Sequence, residues 1–155
     1  MERWRIRADD LSHPASLALV ERHLRGMLAA SPPESVRAIG VAALRAPGVS
    51  LWTAWDGEQI AGMVALRGLA DGAAEIKSMR VADAYRGRGV GKALLTHVIA
   101  QARGRGVSQL LLETGTGDEF VPAIRLYEAA GFTPCGRFAD YPDDPFSRFY
   151  SLTLG

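Results

Sequence analysis

Apolar positions along the chain recur with two periods, and the switches between them mark out short elements. Trp4 and Ile6 alternate with charged neighbours and predict a short first strand. Ser12 and Pro14 open a helix through about Ala30, with Leu17, Val20, Leu24, Met27 and Leu28 as its buried face. Ser31-Pro32-Pro33-Glu34 has the form of a capping box with proline in the first turn. A second helix is therefore expected over about 34–45, ended by Pro47-Gly48. Segments 51–55 and 60–66 read as two strands joined at the tight-turn dipeptide Asp56-Gly57. Asp71-Gly72 turns into a further strand from about Ala74, in which Ile76, Ser78 and Arg80 alternate with Lys77, Met79 and Val81. Val90, Leu94, Leu95, Val98, Ile99 and Ala102 then fall on one helical face. Gly104 and Gly106 lead to a strand at Gln109. A helix is expected over 122–130, stopped by Gly131, and two strands near 132–138 and 149–154. The order β-α-α-β-β-β-α-β-α-β-β mixes hairpins with crossover helices, so an α+β domain with a mixed sheet is expected.

Composition narrows the class. With 155 residues, 48% hydrophobic and 23% charged, the chain reads as one domain over 1–155 with room for a full core. The net charge is +1, and no run of Lys or Arg is long enough to track a nucleic-acid backbone. No stretch approaches ~18 apolar residues, so no membrane span is expected. The first ten residues lack the apolar segment of a signal peptide. The single cysteine, Cys135, excludes an internal disulfide and fits a reducing compartment. A cytoplasmic location is therefore expected. His13, His23 and His97 lack metal-ligand spacing, and no metal is expected.

The densest chemical signal lies at Arg86-Gly87-Arg88-Gly89-Val90-Gly91-Lys92, between a strand and a helix. Glycines at alternate positions let the backbone approach a ligand closely. The first amides of the helix lack intrahelical acceptors and lie at the positive end of its dipole. Arg86, Arg88 and Lys92 add positive charge, and a phosphate group suits such a place. A solvated glycine-rich turn is the plain alternative. Two familiar phosphate motifs fail. Gly91-Lys92 is followed by Ala93, where a Walker loop needs Ser or Thr. The third glycine is misplaced for a dinucleotide fingerprint, although Glu113 lies roughly 20 residues downstream, where a ribose-binding acid would be.

The pattern resembles Arg/Gln-x-x-Gly-x-Gly/Ala, the acetyl-CoA pyrophosphate loop of the GNAT superfamily of N-acetyltransferases. Ala123-Ile-Arg-Leu-Tyr127-Glu-Ala-Ala-Gly131-Phe132 is similar to that family's second signature, Ala-x-x-Leu-Tyr-x-x-x-Gly-Phe. Glu75-Ile-Lys-Ser-Met before the loop and the tail from Cys135 to Phe149 resemble a bacterial subgroup of the family. The resemblance covers nearly the whole chain. It implies a mixed, mostly antiparallel sheet flanked by helices, and transfer of an acetyl group from acetyl-CoA to a primary amine in a ternary complex, with no metal.

Carried over residue by residue, the resemblance sets the pantetheine arm along the main chain of Met79, Arg80 and Val81. The pyrophosphate falls to the amides from Gly87 to Lys92, including those of Arg88, Gly89, Val90 and Gly91, with Arg86 reaching across. The side chain of Arg88 is left between the phosphates and solvent. Tyr127 takes the place of the tyrosine that protonates the departing thiolate. Glu75 stands at the spacing from Arg86 where some family members carry a glutamate base, against the alternative of a solvent-facing glutamate paired with Lys77. Glu113 is the second candidate base. Many relatives have Asn three residues before the alanine of the second signature, where this chain has Phe120. Asp118, Glu119, Asp140, Asp143 and Asp144 fall where family topology places the acceptor entrance, or form two solvated acidic loops. The resemblance implies a small-molecule or peptide amine as acceptor without choosing among small amines, amino acids, peptide termini and protein lysines, and since many relatives dimerise it allows a homodimer. A cofactor-binding module without turnover and a dinucleotide-dependent oxidoreductase are the rival classes.

Overall fold

In the computed structural model, which describes residues 4–32 and 40–154, the alternating segments assemble into one seven-stranded sheet. Its strands are β1 (Arg5–Ala8), β2 (Val49–Asp56), β3 (Gln59–Gly68), β4 (Ala73–Val81), β5 (Gln109–Gly115), β6 (Thr133–Pro134) and β7 (Ser147–Thr153). They lie in the order β1-β2-β3-β4-β5-β7-β6. Every neighbouring pair is antiparallel except β4 and β5. Those two run parallel because the helix α3 (Val90–Gly104) crosses between them. The mixed, mostly antiparallel sheet expected from the element order is the one observed. The strand expected over 132–138 is reduced to β6, since Cys135 makes one further backbone bond to Phe149 before the chain leaves the sheet.

Core forms on both sides of the sheet. On one side, Val90, Leu94, Leu95, Val98, Ile99 and Ala102 of α3 are all buried, as their period predicts. They pack with α4 (Val121–Ala129) against Trp52, Val64, Ile76, Leu110 and Leu112. Each large side chain buried here contributes about 1.5–3 kcal/mol. A 15-residue helix that is marginal alone is thereby fixed. The contact is tight at Gly62 in β3, where an added Cβ would lie 2.9 Å from each of Arg80 O, Leu94 Cδ1 and Val90 Cγ1. Gly62→Ala is therefore expected to destabilise the fold by about 1–3 kcal/mol through overpacking. Urea unfolding would show this as a lower midpoint, and an unchanged midpoint would mean that α3 rides higher on the sheet.

On the other side, α1 (Pro14–Ala30) covers Leu51, Met63 and Ala65. Its buried residues are Ser16, Leu19, Val20 and His23, and Leu28 is 48% exposed, so the predicted face through Leu24, Met27 and Leu28 is corrected. The cause lies beneath the helix. Its second half runs over Arg80 of β4, whose guanidinium approaches Gly26, so a charged group lies beneath the helix there. The helix start is capped by His13, not Ser12: His13 Nδ1 accepts from the amide of Ala15 at 3.0 Å. Asp9 pins α1 to the sheet by accepting from Ser16 Oγ at 2.8 Å and Thr53 Oγ1 at 2.7 Å. Of the second predicted helix, Val41–Leu44 forms the short α2. Residues 33–39, including Pro33 and Glu34 of the proposed capping box, lie outside the described residues. Among the described residues no helix is long and apolar enough to cross a membrane.

Two irregularities in β4 shape everything that follows. Met63 faces Arg80 and Ala65 faces Lys77, so Ser78 and Met79 together oppose Val64. Ser78 takes φ of 55°, a left-handed conformation costing roughly 1–2 kcal/mol for a residue with a Cβ. This bulge corrects the simple alternation expected from the sequence. Ala74, Ile76, Met79 and Val81 join the α3 core, while Glu75 and Lys77 fall on the opposite face and Arg80 turns to α1. The second irregularity concerns pairing. β4 meets β5 at three positions, Ala73, Ala74 and Glu75 opposite Gln109, Leu110 and Leu111. Beyond Glu75 the two strands continue to Val81 and Gly115 with their facing edges apart.

Candidate active site

The parted edges open toward the glycine-rich loop. After β4 comes a single 3-10 turn, Asp83–Tyr85, and then Arg86 to Gly89 lead into α3. Gly87 and Gly89 have φ of 74° and 89°, and a Cβ at either would meet nothing within 4 Å. Glycine is required there by conformation, not by crowding. Gly91 serves packing instead, since its Cβ would lie 3.1 Å from Leu126 Cδ2. Gly89 is the N-cap of α3 and supplies no side-chain cap, and the first intrahelical bond runs from Ala93 N to Gly89 O. The amides of Val90, Gly91 and Lys92 thus point out of the helix end with no intrahelical acceptor. Together with the dipole they make an anion cradle.

The arginines near the loop play different parts. Arg86 is 63% exposed and pairs with Asp83 at 3.0 Å. Arg22 of α1 and Arg80 of β4 reach the same carboxylate at 3.1 and 3.5 Å. The hydrogen bond from Arg22 and the surrounding positive charge hold the Asp83 carboxyl below its usual range. Arg88 stacks over Tyr85 at 4.8 Å and Trp4 at 5.5 Å, so its guanidinium is taken up in packing and its main chain alone lines the loop. Lys92 is exposed.

Glu75 is 1% exposed, not solvent-facing. Its Oε1 accepts from Arg67 Nη2 at 2.6 Å, and its Oε2 accepts a short hydrogen bond from the Tyr141 hydroxyl. Lys77 Nζ donates to Tyr141 Oη at 3.0 Å and stands 3.7 Å from Glu75 Oε2. Burial pushes the Lys77 ammonium below its usual range, against the opposing pull of Glu75. Burial, then the bond to Glu75, raises the Tyr141 phenol. Tyr141 sits in the tail between β6 and β7, where its ring packs edge-on with Phe138 and Phe149.

Tyr127 of α4 is 8% exposed, with its ring edge-on to Phe132 at 5.9 Å. Burial, followed by the charge of Glu113, pushes its hydroxyl up to about 12, so it stays protonated at neutral pH. The carboxylate that Tyr127 feels is Glu113 on the open part of β5, not Glu75. Glu113 accepts from Ser147 Oγ at 2.7 Å, and its charge also reaches Lys77 and Tyr141. Phe120 is buried with its ring against Gly115, where an added Cβ would overlap the ring edge. An aromatic side chain therefore closes the end of β5.

Sequence reasoning missed Arg67, Tyr141 and Ser147. Tyr141 and Ser147 come from the tail, whose resemblance to a subgroup is the one signal that marked it. A separate hollow of about 310 Å³ beside β1 and β2 is lined by Asp9, Leu11, Leu44, Arg45 and Trp52 and holds none of these residues.

Residues 11–132 match the model of the acetyltransferase (GNAT) family. The chain is 50% identical over 149 residues to the uncharacterized N-acetyltransferase YedL of Escherichia coli (strain K12), covering 96% of this chain and 94% of that one. Its fold superposes with a TM-score of 0.80 on a candidate acyl-CoA N-acyltransferase from Klebsiella pneumoniae, at 25% identity and 98% coverage of both chains. An acetyltransferase from Bacillus subtilis solved in complex with CoA shares the fold, with a TM-score of 0.68, 19% identity, and 97% and 99% coverage.

Proposed function

The chain belongs to the GNAT family of acetyltransferases, and from that membership we propose that it transfers an acetyl group from acetyl-CoA directly to a primary amine within a ternary complex. One observation carries this reading: the parted edges of β4 and β5 lead straight to the unsatisfied amides of α3. A thin polar arm ending in a diphosphate matches that track. Main-chain groups of Met79 and Val81 bond the arm, while Arg80 between them is turned to Met63 of β3; each bond is worth only about 1 kcal/mol net, so they position the arm more than they grip it. The amides of Val90, Gly91 and Lys92 hold the diphosphate, with Arg86 beside them.

Acetyl-CoA supplies an activated thioester, so the chain's own tasks are to orient the amine and move its proton. At pH 7, freeing a lysine-type amine of its proton costs about 4–5 kcal/mol, and an α-amine near 8 only about 1.4. We assign the base to Glu113 and give Glu75 the part of an anchor. Both oxygens of Glu75 are engaged by Arg67 and Tyr141, contacts it would have to surrender before taking a proton. Glu113 shares its surroundings with Tyr127, and this pairs a proton acceptor with a proton donor across the gap.

Purified protein given acetyl-CoA and a panel of amines is expected to release free thiol in an amine-dependent way, read with a thiol reagent. Release with none of them would leave a binding module without turnover. Glu113→Gln should lower kcat by roughly 10²-fold and recover at high pH, where the amine is already deprotonated. A large loss in Glu75→Gln alone, with Glu113→Gln unaffected, would reverse the assignment.

A further inference from the structure

The side of β4 turned away from the α3 core carries Glu75, Lys77 and Arg80, with Ser78 in the bulge between the last two. Around it, four buried side-chain polar atoms have no hydrogen-bond partner: Arg67 Nε, Ser78 Oγ, Arg80 Nε and, from α1, His23 Nδ1. Each such orphan costs about 1–3 kcal/mol, and native interiors hold few of them. Arg67 Nε lies beside Glu75 toward the start of the strand, while Ser78 Oγ, Arg80 Nε and His23 Nδ1 fall toward its other end and describe a place whose partner arrives from outside.

The atoms define that partner. Arg67 Nε and Arg80 Nε only donate, and the serine hydroxyl donates as readily as it accepts. Burial, then the nearby charge of Arg80, pushes His23 down to about 4, so its ring is neutral. Arg67 and Lys77 stand with the carboxylates Glu75 and Glu113, whereas Arg80 stands with Arg22, Arg86 and the single carboxylate of Asp83, so positive charge is in surplus at the Arg80 end. Surplus donors and surplus positive charge both call for an anionic group. The main chain of Arg80 pairs with Met63 of β3 while its side chain turns to α1.

We propose that the amine acceptor of this site also bears a carboxylate, which Ser78 and Arg80 bind on the α1 side of β4. The inference rests on the acetyl-transfer reading and names its substrate class: amino-acid-like amines in preference to plain alkylamines. The acceptor's two ends are then treated separately, its nitrogen by Glu113 and its carboxylate by the strand.

Matched pairs that differ by one carboxylate test it: phenylalanine with phenethylamine, lysine with cadaverine, and alanine with ethylamine. The amino acid is expected to have at least tenfold higher kcat/KM in each pair that is turned over. Arg80→Gln should bring that ratio near one, and Ser78→Ala should narrow it, with circular dichroism confirming that both variants fold. A wild-type ratio at or below one, or a ratio untouched by both substitutions, overturns the proposal. If no amine is turned over, the acetyl-transfer reading fails on its own account, and binding still decides the inference. Protein saturated with CoA should gain melting temperature with the amino acid and not with its matched amine; an equal shift from both, or none from either, overturns it.

Discussion

Replacing Tyr127 by phenylalanine is expected to cut turnover well over tenfold while leaving acetyl-CoA affinity nearly unchanged. The ring itself is core, packed against Phe132, and phenylalanine preserves that packing. What disappears is one hydroxyl, and its raised pKa limits the part proposed for it. A phenol near 12 is a weaker acid than a thiol near 8.5, so complete proton transfer to the leaving sulfur is uphill by about 5 kcal/mol. On the proposed reading Tyr127 would act chiefly by a hydrogen bond that strengthens as negative charge gathers on sulfur. A bond to a charged atom is worth about 1.5–3 kcal/mol, or roughly 10- to 150-fold in rate. Since the charge develops in the transition state, the loss falls on kcat and not on cofactor binding. Steady-state kinetics together with calorimetric titration of acetyl-CoA measure both quantities. An unaltered rate would remove Tyr127 from the chemistry.

Gly89→Glu is expected to abolish cofactor binding without unfolding the protein. No atom lies within 4 Å of the position its Cβ would take, so the core is undisturbed. The left-handed φ of 89° costs about 1–2 kcal/mol for any residue with a Cβ. The larger effect is electrostatic: a carboxylate set at the mouth of an anion cradle repels the diphosphate that the amides of Val90 to Lys92 would hold. Gly89→Ala carries the strain without the charge and should weaken binding by only about tenfold. Full CoA affinity retained by the glutamate variant would show that these amides do not carry the diphosphate.

Much of this arrangement could be read from the chain, and the remainder fails for definable reasons. The α3 stripe, both Asp-Gly turns and the loop are local patterns whose period or dihedral demand is written in adjacent residues. The face of α1 was misjudged because leucine spacing describes the helix alone, whereas burial depends on the sheet beneath, which is polar at Arg80. The bulge at Ser78 has no local signature, since serine rarely takes positive φ and only the mismatch of β3 with β4 imposes it. Glu75 drew attention by its spacing from Arg86. Its true neighbours, Arg67 and Tyr141, come from positions 8 and 66 residues away, which no periodicity connects.

The brevity of the seam between β4 and β5 reaches beyond catalysis. Three rungs join a four-stranded slab to a three-stranded one, with α3 spanning the join. A long thin ligand lying in the cleft would add rungs to that ladder, so the molecule consumed by the reaction would also act as mortar between the halves. By mass action its presence favours the closed sheet, and the protein would be at its loosest each time a spent ligand departs.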